Sequence, residues 1–160
     1  MSFVYYYEHG EANFGEPLKT EVAGGSHLTT ENILHIGTTI YALRLPDGIH
    51  GATKNALYFP HGLIRFGEKH PDCVQRVVKE FADVNVTRVQ TYNLSTWVDD
   101  SNHWHMCLNS LVEIDKPPEM SDRVSEIVSF TKNNIPKDIE WWTPQEMDGI
   151  FKFLESHANA

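Results

Sequence analysis

Long apolar runs are missing from this sequence. None approaches the roughly 18 residues that a helical membrane span needs, so no such span is expected. Cysteine is scarce: Cys73 and Cys107 are the only two, too few for a disulfide scaffold and without close metal spacing. One disulfide or two reduced, buried thiols remain open, and the thiols are the expected outcome. Basic charge is in deficit, with 13 Lys and Arg against 22 Asp and Glu, a net charge of −9. The cations are scattered, with no run and no basic-aromatic stripe, which argues against sequence-independent binding to nucleic acid. Recognition of a single nucleotide stays open. The first residues show no basic segment followed by an apolar one, so no signal peptide is read and a cytoplasmic location is expected.

What is present suits one domain over residues 1–160, with 41% apolar residues, enough for a core. The first 26 residues mix aromatics with Gly and Glu and are read as an N-terminal extension or short strand, then a loop. Residues 33–45 form the first strong strand pattern, ended by Pro46-Asp47-Gly48. Residues 56–59 are a short strand stopped by Pro60, and 62–67 a loop. Pro71 suits the first position of a helix running to about Phe81. Residues 86–94 and 105–114 read as strands around a turn at 99–102, and 124–130 as another after the Pro117-Pro118 break. Thr143, Pro144 and Glu146 open a last helix as N-cap, first residue and capping box. Met147, Ile150, Phe151, Phe153 and Leu154 are its apolar side. Strands, helix, strands, helix is the order of an α+β fold.

Residues 59–86 read FPHGLIRFGEKHPDCVQRVVKEFADVNV. Gly62 is followed by five residues and Glu68, then by seven residues and Arg76; Val78, Glu80 and Val84 follow. The stretch resembles the Nudix box, whose pattern has this spacing, and Glu140-Trp141-Trp142-Thr143-Pro144 resembles that family's closing section. The resemblance covers residues 30–156 and implies an α/β/α sandwich: a mixed sheet with the box helix on one side and a C-terminal helix. It also implies a small-molecule nucleotide derivative as substrate, Mg²⁺ or Mn²⁺ as cofactor if the protein is active, and a homodimer in many relatives.

The departures concern chemistry. Val77 and Phe81 stand where the family has metal-binding Glu residues, Asp83 replaces a Gly, and His61 replaces the Gly before Gly62. At about 100° per residue, Val74, Val77, Val78 and Phe81 form one apolar stripe that spreads over the metal seat, with Glu80 at its edge. Hard cations need several oxygen ligands. A weakened metal site would therefore rest on Gly62, Glu68 and Glu80. Partial resemblance to the GDP-mannose mannosyl hydrolase branch, which also lacks the acid at Val77 and uses a His as base, makes His103 and His105 candidate catalytic bases. His61, Arg65 and Arg76 are candidate pocket residues.

Each of these has a bland reading beside the functional one. The helix alone suits a core element, Glu68 and Arg76 suit a loop brace, the two His suit a strand end, and Trp141-Trp142 suit the core more than base stacking. The expectation is a Nudix-family hydrolase relative acting on a nucleoside diphosphate linked to another group, such as a nucleotide sugar. The alternative is a non-catalytic module that binds a nucleotide-like ligand, or a protein partner through the apolar surface left by Val77 and Phe81.

Overall fold

The apolar stretch expected as one strand over residues 33–45 folds as two, β1 (Ser26–Ile36) and β2 (Thr39–Arg44). Gly37 breaks it, at the first central position of a two-residue hairpin loop and with a φ of 55°. A side chain there would be strained, so this glycine sets the turn. The computed structural model describes residues 26–46, 55–65, 67–98 and 104–157. The expected N-terminal strand, Asp47, Gly48, the turn at 99–102 and His103 lie outside these residues.

Next come β3 (Leu57–Tyr58), β4 (His61–Leu63), α1 (His70–Phe81), β5 (Val86–Val98), β6 (Trp104–Ile114), β7 (Glu126–Phe130) and α2 (Pro144–His157). The first residues of the expected 62–67 loop thus belong to a strand. The central sheet order is β3-β2-β1-β6-β5, with β4 also on β1 and β7 on β2. β1 and β6 run parallel and the other pairs antiparallel. β1 pairs with β2 only from Leu34 to Ile36, and β3 and β4 fill the gap beside its earlier residues: β3 pairs with the far end of β2, β4 with Thr29, Thr30 and Glu31. Asn32 stitches this fork, since its backbone N–H and its side-chain amide both donate to the Pro60 carbonyl, at 2.8 and 3.0 Å. The fork sets His61 beside Glu31.

Successive strand residues face opposite sides, and each side carries one helix. Ile33, Ala42, Phe59 and Leu111 pack with Met147, Ile150, Phe151 and Leu154 of α2. Leu34, Tyr41 and Val112 pack with Val74 and Val78 of α1, and Leu43 and Tyr58 with Cys73, Val77 and Phe81. Three of the five buried α1 positions are Val, a mediocre helix former, so tertiary packing holds this helix more than its propensity does. The α/β/α sandwich is as expected. Both cysteines are buried and free. Among the described residues no helix is long and apolar enough to cross a membrane.

The start of α2 follows its sequence signal. The Glu146 carboxylate accepts from the Thr143 backbone N–H at 2.7 Å and from its hydroxyl at 2.8 Å, and the Thr143 oxygen accepts from the Glu146 N–H at 3.3 Å. Thr143→Ala is expected to lower the unfolding free energy by about 1 kcal/mol. It should be read as a lower denaturant midpoint at unchanged slope.

Candidate functional site

The loop after β4 is clamped to α1 by one guanidinium. Arg76 donates from Nε and Nη2 to the two Glu68 oxygens at 2.8 and 2.9 Å, to the Leu63 carbonyl at 2.9 Å, and from Nη1 to Glu80 at 3.2 Å. The Arg65 backbone N–H adds a 2.9 Å bond to Glu68. Burial disfavours the Glu68 charge, but Arg76 and the Arg65 N–H outweigh it and hold this carboxyl down at about 2. The Glu68 hydrogen bond in turn raises Arg76 above its usual value. Glu68 and Arg76 therefore brace loop against helix, and Glu80 is the third member of the brace.

The residues of α1 do not fit a Mg²⁺ or Mn²⁺ seat. Glu68 and Glu80 share Arg76, while Val77 and Phe81 are buried at 0% and 1% exposure. Val77 closes on Gly62, where an added Cβ would stand 3.1 Å from Val77 Cγ2. Phe81 stacks with the His61 ring, centroids 6.3 Å apart. Among the described residues no three His, Cys, Asp or Glu side chains converge to hold a metal. The apolar docking surface expected from Val77 and Phe81 does not exist either, because the sheet, Gly62 and His61 cover both.

The cavity lies on the other face of the sheet, at the N-terminal end of α2, with a volume of about 540 Å³. That suits a small-molecule ligand. Its floor consists of cross-strand rows from β5, β6 and β1: Trp97 and His105; Ser95, Cys107 and Thr29; Asn93, Asn109 and Glu31, extended by His61 of β4. His105 is sandwiched in its row, stacked on Trp97 at 4.8 Å and edge-on to His27 at 4.5 Å. The Asn109 amide donates to Asn93 at 2.6 Å and to Ser95 at 3.0 Å. Burial pushes the Cys107 thiol up to about 12, so it is no nucleophile near neutrality.

Trp141, Trp142 and Glu146 close the cavity from above. The segment before Trp141 is tied to β3, Leu57 N–H donating to the Asp138 carbonyl and the Glu140 N–H to the Leu57 carbonyl. Trp141 follows with a φ of 66°, a left-handed conformation that costs a non-glycine residue about 1 kcal/mol or more. Its ring, 57% exposed, lies edge-on to His61 at 5.0 Å and to Tyr58 at 5.3 Å. A strained backbone thus holds an exposed indole over the pocket.

Glu31 is the group that sequence reading missed. It is 5% exposed, lines the cavity, and its Oε1 has no hydrogen-bond partner. Burial raises its carboxyl to about 8; the nearby Trp142 indole N–H favours the charge, although it falls short of a hydrogen bond, and Glu146 opposes it. The only sequence signal was the polar alternation His27, Thr29, Glu31 leading into Ile33. Of the residues singled out from sequence, the cavity gathers His61, Gly62, His105, Trp141 and Trp142. Glu68, Glu80, Arg65 and Arg76 do not line it, and His103 lies outside the described residues.

The Glu31 carboxyl has a stability signature. Folded, it keeps its proton up to about pH 8; unfolded, it loses it near the ordinary 4.5. Its contribution is therefore complete below pH 4.5 and lost as pH rises through 8, with a slope of at most ~1.4 kcal/mol per pH unit. Urea unfolding of Glu31→Gln against the parent between pH 5 and 8.5 should show the parent losing relative stability as pH rises. A constant difference would assign the carboxyl an ordinary titration.

No family model matches the sequence, and no curated protein does. Solved structures do match. A MutT NUDIX hydrolase from Burkholderia pseudomallei superposes with a TM-score of 0.63 at 12% identity, over 77% of this chain and 96% of its own. A NUDIX hydrolase from Nitrosomonas europaea gives 0.60 at 14%, over 82% and 90%. The E. coli ORF135 protein gives 0.56 at 13%, over 69% and 76%. Identities this low speak for architecture alone: the chain carries the Nudix fold.

Proposed function

We propose that the protein is a Nudix-type hydrolase acting on a nucleoside diphosphate linked to another group, with the non-phosphate part of the substrate in the cavity over β1, β5 and β6. The observation that carries this reading is the lining. Three Trp side chains, three uncharged amide or hydroxyl groups of β5 and β6, and two His residues surround a space of ligand size, and no Lys or Arg lines it among the described residues. Aromatic faces stack on flat rings, and amides fix orientation. The phosphates would leave the cavity toward solvent.

Hydrolysis needs a base for the attacking water. His61 and His105 both reach the cavity. His61 Nδ1 lies 2.9 Å from the Phe59 carbonyl, which can only accept, so Nδ1 carries a proton and Nε2 is the basic atom of the neutral ring. His105 is held between two rings and presents a fixed edge. Neither role passes through a metal on α1, where the donors present do not fit one.

A second reading, a module that binds a nucleotide-like ligand without cleaving it, is favoured by the burial of Val77 and Phe81. Turnover separates the two. Nucleotide sugars, dinucleotides and nucleoside triphosphates would be incubated at high enzyme concentration in EDTA, Mg²⁺ or Mn²⁺. Slow release of a nucleotide product is expected, falling by about 10²-fold or more in whichever of His61→Ala and His105→Ala removes the base. Absence of turnover with every substrate and ion would leave the binding module as the answer.

A further inference from the structure

The floor of the cavity is largely satisfied within itself. The Asn109 amide is spent on Asn93 and Ser95, and the Cys107 thiol points at Asn109 Oδ1 at 3.4 Å. Glu31 Oε1 is the acceptor left over, in a side chain more than nine-tenths buried. A buried acceptor without a donor costs about 1–3 kcal/mol. Such a cost persists readily where a ligand removes it.

We infer that Glu31 reads the ligand, its carboxylate accepting adjacent N–H donors from the edge of a flat heterocycle of the amino–imino type that guanine presents. The inference deepens the proposed function and rests on its placing the non-phosphate part in this cavity. A sugar ring is the poorer fit. Its hydroxyls point in every direction and each needs a partner, whereas this cavity offers the Glu31 carboxyl deep between aromatic walls. A flat ring places two donors on one edge and gives its faces to indoles. Adenine is also a poorer fit, since its corresponding edge sets an acceptor beside its amino donor.

Charge supports the same direction. The titratable groups that line the cavity with Glu31 are His61 of β4, His105 and Cys107 of β6 and Glu146 of α2. Among the described residues no fixed cation lines the cavity. In the empty cavity burial keeps Glu31 protonated near neutral pH. Two N–H donors favour the charged carboxylate, so a bound ligand of this type expels the proton.

The test uses the full chain and phosphate-free probes: guanosine, inosine, which lacks the 2-amino group, and adenosine, titrated by calorimetry and by tryptophan fluorescence. Guanosine is expected to bind best, with inosine weaker by about tenfold or more and adenosine weaker still. Repeating the guanosine titration at pH 7 in two buffers of different ionisation enthalpy should show net proton release. Glu31→Gln, checked for folding by near-ultraviolet circular dichroism, should lose about tenfold or more in guanosine affinity and lose the proton release. Adenosine binding as tightly as guanosine, equal binding by the variant, or no guanosine binding at millimolar concentration would overturn the inference. The wild-type comparison of three nucleosides decides the matter even if the variant does not fold. Turnover of substrates without guanine, combined with no guanosine binding, would sink this inference while leaving the hydrolase reading intact.

Discussion

The two-residue alternation along β1 is the constraint on which both halves of the molecule depend. Thr30 and Asn32 point to the α1 face and are buried, with Ser110 of β6 beside them. The first residue of α1, His70, lies with Nε2 3.2 Å from both Thr30 Oγ1 and Ser110 Oγ, and burial holds its ring below its usual titration range. That polar patch anchors the helix where its Lys69 N-cap makes no side-chain cap bond. Glu31, between Thr30 and Asn32, necessarily faces the cavity. A one-residue slip against β6 would put Glu31 under α1 and the anchor into the cavity. The parallel pairing with β6, continuous from Ser26 to His35, fixes the register that prevents it.

The elements with strong local signals were legible in the sequence. α2 carries its own cap and apolar side, α1 has Pro71 in its first turn and an apolar stripe, and β6 matches its expected bounds within one residue. The failures were at weak local signals. Gly37 sits inside an apolar run with no neighbouring turn residue, so a hairpin passed for one long strand. β4 is three residues long and owes its conformation to the fork between β1 and β2 rather than to its own composition.

The site divided in the same way. The spacing from Gly62 through Glu68 and Arg76 to Glu80 was readable because a brace of loop on helix depends on fixed sequence separations. The cavity was not, because its floor is assembled across strands. Glu31, Asn93 and Asn109 share one row only through the register of β1, β6 and β5. In sequence, Glu31 is one polar residue in Thr-Thr-Glu-Asn, indistinguishable from a solvated strand end. Its burial becomes visible only when Trp142 and α2 cover that face.

The apolar face of α1 and the character of the cavity belong together. A divalent ion would offset phosphate charge, and the four positions that the box resemblance offers for it are otherwise engaged: Val77 and Phe81 are hydrocarbon in the core, and Glu68 and Glu80 are committed to Arg76. Among the described residues that line the cavity there is no replacement cation, and the Glu146 carboxylate would repel phosphate pressed against it. Under the proposed function, a nucleotide derivative would enter ring first, with its phosphates outward. Recognition would then rest on stacking against indoles and on the Glu31 carboxyl, whose buried Oε1 folding leaves without a donor. Trp141, held in a left-handed backbone conformation above His61, is consistent with that division of labour: the strain positions a flat apolar face at the mouth of the cavity, where the ring of a ligand would pass and where a phosphate would gain nothing.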